Sequence, residues 1–345
     1  MTKMRASFFE THGGTDRLRY DYVERPEPGK REVLVRVKAC ALNHLDLWAL
    51  MGMPGVKMPL PHILGCDIAG EVVEVGPKVT GIPRNRPVIV SPGLVDRHSP
   101  WADGRWDSLA PGYRIVGFQV DGGYAEYVKV PARNIIPVSK RLSYEEWAAV
   151  PLTFLTAWHM LVTRAQLKKK EKVLIHAAGS GVGSAGIQIA KYLGAKVFTT
   201  VGSDRKIRLA KEIGADYVIP YHKKDFAQEI RRLTRNEGVD VVFEHIGPAT
   251  FAKSLESLAK KGRCVTCGIT SGPVAELNLR YIFFNQLSVL GCYMGGIREL
   301  REVVRLIEKG KLRPVIDKVF PLRQAGEALQ RMQNRENFGK IILTP

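Results

Sequence analysis

The stretch KVLIHAAGSGVGSAGIQIAKYLGAKVFTTVGSDRK, residues 172–206, decides the fold. Its apolar run at 173–175 ends in small residues, and an amphipathic helical pattern follows over 182–193. A second apolar run then covers 196–201. Because strands favour short apolar runs and helices a longer 3.6-residue period, the order predicts strand, tight turn, helix and strand.

The turn between this first strand and the helix is rich in glycine. It contains Gly179, Ser180, Gly181, Val182 and Gly183. Glycine lets the backbone approach a pyrophosphate closely, and the helix N-terminus then faces the negative charge. A glycine-rich turn can also be purely structural, but the complete strand–turn–helix–strand context favours dinucleotide binding.

The same alternation of strands and helices continues over residues 152–294. It predicts a doubly wound parallel sheet, the Rossmann architecture. The preceding residues 1–151 are rich in strand patterns instead, and residues 295–345 are expected to return to that first domain because the six-strand sheet is already complete. Expected strands lie at 217–219, 240–244, 263–268 and 287–292, and expected helices near 204–213, 223–236 and 248–261. The predicted fold class is therefore α/β with two domains.

The chain is basic, with 52 Lys and Arg against 34 Asp and Glu and a formal net charge of +18. Such a charge allows non-specific nucleic-acid binding. The basic residues are spread along the chain, however, so we favour a solvated surface and an anionic cofactor over a nucleic-acid function.

The cellular setting is inferred from what the sequence lacks. No window reaches the roughly 18 apolar residues of a membrane span, and the N-terminal residues have no apolar core of a signal peptide. The five cysteines are odd in number and sparse, as in a reducing compartment. We therefore expect a cytoplasmic protein without a membrane partner. Many Lys, Arg and Pro with few Asn and Gln also suit a heat-stable protein.

Taken together, these patterns resemble the medium-chain dehydrogenase/reductase superfamily, the group of the zinc alcohol dehydrogenases and the quinone oxidoreductases. The resemblance covers nearly the whole chain. It implies a β-rich, GroES-like catalytic domain (residues 1–151 and 295–345) and a Rossmann cofactor domain (residues 152–294). The motifs that carry it are LGCDIAGEVVEVG (64–76), DGGYAEYV (121–128), PLTFLTAW (151–158), AAGSGVG (177–183) and FGKIIL (338–343).

The metal positions of the superfamily are altered in this chain. Zinc members hold a catalytic zinc with Cys, His and a further Cys or Glu, and the zinc acts as a Lewis acid. The matching positions here carry Asn43, Cys66 followed by Asp67, and Leu152 or Thr153. We therefore expect no zinc. The alternative is a site rebuilt with neighbours, for which the candidates are Cys40, His44, Asp46 and His62.

The structural zinc of the superfamily is also expected to be absent. The lobe at residues 91–111 contains no cysteine. Trp101, Trp106 and Pro100 are expected to pack the lobe instead. The positions that match the family's four cysteines are Asp96, Ser99, Ala102 and Ala110.

Candidate catalytic residues follow from the resemblance of Asn43-x-x-Asp46 to the N-x-x-D pattern of zinc-free quinone oxidoreductases. An amide or imidazole N–H stabilises the negative charge that develops on a carbonyl oxygen. His44 is also a candidate proton donor, since histidine titrates near neutrality. The alternative is that Asp46 caps a helix or loop and that His44 faces solvent.

Coenzyme preference is predicted from the end of the second Rossmann strand. NAD-specific members place an acidic residue there for the ribose hydroxyls. Here Val201 is followed by Gly202, and Asp204 comes late, where Asp commonly caps a helix. We therefore expect NADP(H), although Lys206 can also be read as an ordinary surface residue. The residues implied for the 2′-phosphate are Ser203, Arg205, Lys206 and Tyr221; those implied for the nicotinamide side are Thr156, His245, Cys267, Gly268 and Tyr293.

The leading functional prediction is an NADP(H)-dependent, zinc-independent reductase of quinones, enones or bulky ketones. One alternative is an alcohol dehydrogenase acting on secondary alcohols and ketones with weak or no zinc. Another is a non-catalytic dinucleotide-binding or RNA-binding protein like the zeta-crystallins. The expected partners are a small carbonyl or quinone substrate and further copies of the chain, because residues 287–294 resemble the strand through which relatives dimerise.

Overall fold

The computed structural model describes residues 2–96 and 98–345. The chain divides into two compact units, which are described separately. One unit comprises Met1–Leu152 and Gly296–Pro345, and the other comprises Thr153–Gly295.

The described residues alternate between strands and helices throughout the second unit, whereas strands dominate the first. The strands are β1 (Lys3–Phe9), β2 (Arg19–Glu24), β3 (Glu32–Ala41), β4 (His62–Ile63), β5 (Asp67–Val75), β6 (Pro87–Val90), β7 (Gly93–Leu94), β8 (Arg114–Ile115), β9 (Tyr127–Pro131), β10 (Ile135–Pro137), β11 (Lys172–Ile175), β12 (Lys196–Val201), β13 (Tyr217–Pro220), β14 (Val239–Glu244), β15 (Leu258–Thr266), β16 (Ser288–Gly291), β17 (Ile316–Pro321) and β18 (Lys340–Thr344). The α-helices are α1 (His44–Met51), α2 (Tyr144–Ala148), α3 (Pro151–Trp158), α4 (Gly181–Tyr192), α5 (Arg205–Glu212), α6 (Phe226–Leu233), α7 (Pro248–Glu256), α8 (Leu279–Phe284), α9 (Ile297–Glu308) and α10 (Ala325–Gln333).

The second unit, all of whose residues are described, is built on a six-stranded sheet. Its strand order is β13-β12-β11-β14-β15-β16, and every neighbouring pair is parallel. The order reverses direction between β11 and β14, so helices cover both faces. This confirms the doubly wound sheet that the sequence predicts, and it places the glycine-rich turn after β11 at the point of reversal.

One face of this sheet packs against α6 and α7. Strand residues such as Leu174, Phe198 and Val242 contribute to the same buried cluster as Phe226 and Ile230 of α6. Each of these side chains is at least nine-tenths buried. Burial of apolar surface on this scale fixes the strand ends that carry the polar residues of the site.

The first unit is assembled mainly from antiparallel strands. Its largest sheet follows the path β10-β6-β5-β3-β18-β17, with β9 also paired to β3. The C-terminal strand β18 pairs antiparallel with β3, through Ile342 opposite Ala41 and Leu343 opposite Cys40. The tail therefore pairs with a strand of the β-rich unit, and it brings the start of β18 beside the end of β3.

Helices are short in this protein. Among the described residues, no helix has the length and apolar character needed to cross a membrane. The helical pattern expected after residue 144 is divided into α2, α3 and a π-helical turn, His159–Arg164.

Candidate active site

The glycine-rich turn of the second unit is closed too tightly for a side chain at its third glycine. A Cβ at Gly183 would lie 2.4 Å from the carbonyl oxygen of Ala177. Ser180 caps α4, because its hydroxyl accepts from the Gly183 N–H at 2.9 Å. The twelve-residue helix α4 therefore begins directly at the turn. Its N-terminal N–H groups and positive dipole end make an anion site of the kind that binds pyrophosphate.

The four residues predicted for a 2′-phosphate lie around the end of β12. The backbone carbonyl of Ser203 accepts from the backbone N–H of Lys206 at 3.1 Å, within the first turn of α5. Tyr221 follows β13, and its N–H donates to the carbonyl of Val201 at 3.1 Å. The structure therefore brings Ser203, Arg205, Lys206 and Tyr221 to one edge of the sheet.

The carboxylate of Asp204, which is the acidic residue nearest that edge, pairs with two basic side chains that follow β13. Its carboxylate lies 2.5 Å from Nζ of Lys223 and 3.4 Å from Nε2 of His222. The hydrogen bond from Lys223 holds the pKa of Asp204 below its usual range. Lys223 and His222 were not predicted from the sequence, although the run YHKK after β13 was a visible cluster of basic residues.

The residues predicted for the nicotinamide side occupy the ends of adjacent strands. A Cβ at Gly268, after β15, would lie 2.6 Å from the carbonyl oxygen of His245, which follows β14. Cys267 donates its backbone N–H to the carbonyl of Glu244 at 3.2 Å. Burial lowers the pKa of His245, so its ring is neutral near pH 7. Nε2 of His245 lies 2.9 Å from the carbonyl oxygen of His176. Tyr293 lies two residues beyond β16 and is about half exposed.

Thr156 lies on α3. Its hydroxyl oxygen is buried and has no hydrogen-bond partner among the described residues. A buried hydroxyl without a partner costs free energy, and a bound ligand relieves that cost when it supplies the missing bond. This orphaned hydroxyl and the closed glycine turn fit a dinucleotide in the second unit.

A buried polar network beneath the turn was not predicted from the sequence. Nε2 of His176 lies 2.9 Å from the hydroxyl of Ser254, which donates to Oε2 of Glu244 at 2.6 Å. Nδ1 of His176 lies 3.3 Å from the hydroxyl of Thr200. Burial lowers the pKa of His176 to about 4, so the ring is neutral at pH 7. The network ties the strand ends of β11, β12 and β14 together.

In the first unit, the three catalytic candidates lie at the N-terminus of α1. Asn43 and Asp46 are buried, and His44 is half-buried. Oδ2 of Asp46 accepts from the Asn43 N–H at 2.7 Å and from the Tyr124 hydroxyl at 2.8 Å. Asp46 therefore caps α1, which is the alternative role expected from the sequence. Its catalytic role stays a prediction.

The other carboxylate oxygen of Asp46, Oδ1, is also buried and has no partner among the described residues. Burial raises the pKa of Asp46 to about 6, and the two hydrogen bonds to Oδ2 offset part of that rise. A group with this pKa holds and releases a proton near neutral pH.

A buried lysine contacts two of the residues that stand at the positions matching the superfamily's metal ligands. Nζ of Lys340, at the start of β18, donates to the carbonyl of Leu42 at 2.6 Å, to Oδ1 of Asn43 at 2.7 Å and to Oδ2 of Asp67 at 2.8 Å. Nδ2 of Asn43 donates to the same Asp67 oxygen at 2.9 Å. The other Asp67 oxygen accepts from the backbone N–H of Leu152 at 2.6 Å.

Lys340 is the main functional candidate that the sequence reasoning missed. A signal was present, because a single lysine precedes the apolar run Ile341–Leu343 in FGKIIL. A charged residue that opens a buried strand needs a buried partner. Its partners are 273 and 297 positions away in the chain, so the sequence pattern did not reveal them.

Two family models match the chain. Residues 29–140 match the alcohol dehydrogenase GroES-like domain, and residues 181–309 match the model described as zinc-binding dehydrogenase. Crotonyl-CoA reductase of Streptomyces collinus is 33% identical over 94% of this chain and 80% of its own length. The chain belongs to the medium-chain dehydrogenase/reductase superfamily. Its members' dependence on a nicotinamide dinucleotide agrees with the geometry of the second unit, and the protein is an oxidoreductase of this superfamily.

Further members of the medium-chain dehydrogenase/reductase superfamily resemble the chain over its whole length. Quinone oxidoreductase of Pseudomonas aeruginosa is 31% identical and covers 98% of both chains. A crystal structure of an NAD-dependent alcohol dehydrogenase superposes with a TM-score of 0.95 at 42% identity, and the match covers 99% of this chain and 100% of the other. Relatives named crotonyl-CoA reductase, quinone oxidoreductase and alcohol dehydrogenase are thus all similar to this chain.

Zinc, which the superfamily implies, does not fit the residues of the first unit. Asn43 and Leu152 are not zinc ligands, and burial raises the pKa of the Cys66 thiol well above its usual value, so the thiolate form is suppressed. The Lys340 ammonium also binds Asp67, which is one of the remaining residues able to bind a metal. Over residues 2–96 and 98–345, no group of three His, Cys, Asp or Glu side chains is arranged to hold a metal.

A buried carboxylate holds the lobe at residues 91–111 through hydrogen bonds. Arg97 of this lobe lies outside the described residues. Oδ1 of Asp107 accepts from the Gly104 N–H at 2.8 Å, and Oδ2 accepts from the Ile297 N–H at the start of α9 at 3.1 Å. Trp101 is 45% exposed, and its role in packing the lobe stays a prediction. The buried Asp107 instead joins the lobe to the helix N-terminus, where a negative charge is favourable.

Proposed function

We propose that this protein is an NADP(H)-dependent, zinc-independent reductase of quinones, enones or bulky ketones. The observation that carries the proposal is the buried ammonium of Lys340, which lies within 2.8 Å of both Asn43 and Asp67 at the position of the superfamily's metal ligands. A dication and an ammonium at that position would repel each other strongly in a buried setting.

Support for NADP(H) comes from the charges at the end of β12. Asp204 is paired with Lys223, and no other acidic side chain follows the strand before α5. Arg205 and Lys206 lie in the first turn of α5. In this proposal they bind the 2′-phosphate together with Ser203 and Tyr221.

The reaction needs a hydride and a proton, and the cofactor supplies the hydride when it is bound. The N-terminus of α4 binds its pyrophosphate. Thr156, His245, Cys267, Gly268 and Tyr293 orient its nicotinamide. In the other unit, Asn43 stabilises the developing negative charge on the substrate oxygen through the Nδ2 hydrogen that does not bind Asp67, and Asp46 holds a proton at Oδ1. His44, at the first position of α1, is the second candidate proton donor.

The experiment is a measurement of NADPH and NADH oxidation with a naphthoquinone, cyclohexenone and a bulky cyclic ketone, each with and without a chelator. The proposal expects turnover with NADPH, at least tenfold lower kcat/KM with NADH, and no effect of the chelator. NADPH binding without turnover on any substrate, accompanied by salt-dependent RNA binding, would favour the non-catalytic alternative.

A second candidate is an alcohol dehydrogenase acting on secondary alcohols and ketones. It is favoured by the 42% identity to a structure named as an NAD-dependent alcohol dehydrogenase. Oxidation of secondary alcohols that exceeds quinone reduction in kcat/KM would select this candidate.

The two domains have separate roles in this proposal. Residues 1–151 and 295–345 act on the substrate, and residues 152–294 bind the cofactor.

We also propose a dimer that forms through β16, an edge strand of the six-stranded sheet. The apolar residues Phe283, Phe284 and Val289, on or just before this strand, are exposed. Exposed edge strands pair readily with a second copy. Light scattering of the purified protein checks the dimer.

A cytoplasmic, heat-stable protein is proposed on composition. All five cysteines lie among the described residues and are free thiols, as expected in a reducing compartment.

A further inference from the structure

The loop that follows β13 is folded into a tight turn beside the end of β12. The backbone N–H groups of Lys223 and Lys224 both donate to the carbonyl of Pro220, at 3.0 and 3.1 Å. Tyr221 is held against the neighbouring strand end, since a Cβ at Gly202 would lie 2.4 Å from its hydroxyl oxygen. The turn therefore carries its basic side chains toward the start of α5.

The side chain of Asp204 is engaged by this turn. Asp204 stands at the N-cap position of α5, yet within the described residues its carboxylate makes no capping hydrogen bond. Its Oδ2 instead accepts from Nζ of Lys223 at 2.5 Å, and its Oδ1 lies 3.4 Å from Nε2 of His222. The side chains of Asp204 and Lys223 are 59% and 56% exposed. An ion pair this exposed adds little to folding stability, so its place beside the predicted coenzyme residues points to another role.

The charges around this pair suit a phosphate only while the carboxylate is neutralised. Arg205 and Lys206 come directly after Asp204, in the first turn of α5. When Lys223 holds Asp204, the strand end carries a net positive charge. An unpaired carboxylate there would repel a phosphate, and carboxylates at this strand end are suited to the ribose hydroxyls that NADH offers. The state of Asp204 therefore bears on which coenzyme this edge favours.

We infer that Lys223 is a specificity-determining residue that acts as a positioning residue, by holding and neutralising the Asp204 carboxylate beside the 2′-phosphate of a bound NADP(H). The inference rests on the proposed preference for NADP(H), and it adds the loop between β13 and α6 to the elements that set this preference. Lys223 acts through Asp204 and not on the phosphate itself. The next residue, Lys224, pairs instead with Glu229 of α6, with Nζ 2.9 Å from Oε1.

The test is a set of Kd values for NADPH and NADH measured by calorimetry, so it needs no turnover. Lys223→Met removes the ammonium and keeps most of the length of the side chain. Lys224→Met is the matched control, because it removes the same charge one residue away and breaks an ion pair with a different carboxylate. Lys223→Met should raise the Kd for NADPH at least about fivefold and should not raise that for NADH. Lys224→Met should change neither Kd by more than about twofold.

The double variant Lys223→Met with Asp204→Asn separates action through Asp204 from direct contact with the phosphate. It lacks both charges of the pair, so it should bind NADPH within about twofold of the wild type. A double variant as weak as Lys223→Met alone would overturn the inference, because Lys223 would then bind the phosphate directly. Equal losses with NADPH and NADH, or equal losses for Lys223→Met and Lys224→Met, would also overturn it.

Ionic strength provides a readout that a purely structural role would not move. The ratio of the NADPH Kd of Lys223→Met to that of the wild type should fall toward one between about 0.1 M and about 1 M NaCl, since the screening length shortens from about 10 Å to about 3 Å. A ratio that is constant with salt would overturn the inference. If the wild type binds NADH as tightly as NADPH, the proposed coenzyme preference fails, and a loss of NADPH binding that the double variant restores still supports the role of Lys223.

Discussion

Nζ of Lys340 lies 2.8 Å from Oδ2 of Asp67, and both side chains are almost completely removed from solvent. The two residues lie on β18 and at the start of β5, which both pair with β3. The sheet therefore fixes the pair in place, and Asn43, which follows β3, completes the cluster.

Replacement of Asp67 by Asn should destabilise the first unit strongly. The change removes the negative charge that faces the Lys340 ammonium and leaves a buried cation without a counter-charge. We expect a loss of about 3–5 kcal/mol in the free energy of unfolding, measured by denaturant titration. The control is Glu212→Gln, which breaks an exposed pair with Arg208 on α5 and should cost less than about 1 kcal/mol. Equal losses for the two variants would contradict the importance of burial.

Stability should depend on pH through Asp46. Its pKa is raised from 3.8 to about 6 in the folded protein, so between these values the folded state binds a proton that the unfolded state has released. The contribution of Asp46 to the free energy of unfolding therefore falls by about 3 kcal/mol in all as the pH rises from about 4 to 6. Asp46→Asn keeps an acceptor for Asn43 and Tyr124 and removes the titration.

The quantity to measure is the difference in unfolding free energy between Asp46→Asn and the wild type. It should grow in favour of the variant from pH 4 to 6 and stay level above. Asp16→Asn, at an exposed carboxylate, is the control and should give a flat difference. A flat difference for Asp46→Asn as well would show that the buried carboxyl does not titrate in this window.

Gly183→Ala should weaken dinucleotide binding. The added Cβ would lie 2.4 Å from the Ala177 carbonyl oxygen, so the turn before α4 must open. We expect the Kd for NADPH, measured by calorimetry, to rise at least about tenfold. Gly186→Ala on the same helix is the matched control, because its Cβ would meet the Phe243 ring at 3.4 Å, close to ordinary contact. Similar Kd values for the two variants would argue against pyrophosphate binding at this turn.

Removal of the positive charges at the start of α5 should change coenzyme preference. The double variant Arg205→Ala with Lys206→Ala should lower kcat/KM for NADPH by about tenfold or more and leave that for NADH nearly unchanged, since only NADPH carries the 2′-phosphate. Arg208→Ala, an exposed residue of the same helix, should affect neither coenzyme. An equal loss with both coenzymes would contradict the assignment.

The Rossmann unit was largely predictable from the sequence. Its strands are short apolar runs separated by amphipathic helices, and that pattern depends on neighbouring residues alone. The helix α8 was not predicted, because it has only six residues and none of them is buried. The strand β15 begins at Leu258, earlier than expected, since residues 258–262 contain two lysines and a glycine that hide its period.

The candidate site was predictable only where its residues are adjacent in the chain. Asn43 and Asp46 occupy one helix start, and the glycines share one turn. The pairs of Lys340 with Asp67 and of His176 with Ser254 join residues 273 and 78 positions apart. Such pairs are created by strand pairing and helix packing, and a single sequence carries no periodic signal for them.

The most direct test of the central claim combines metal analysis with an activity assay. The purified protein is equilibrated with one equivalent of zinc sulfate, passed through gel filtration and analysed for metal, and its NADPH-dependent quinone reduction is measured before and after treatment with a chelator. We predict less than about 0.1 equivalent of zinc per chain and an unchanged rate, because Asn43 and Leu152 are not zinc ligands and a buried ammonium already binds Asp67. Retention of about one zinc per chain, together with loss of activity on its removal, would contradict this prediction.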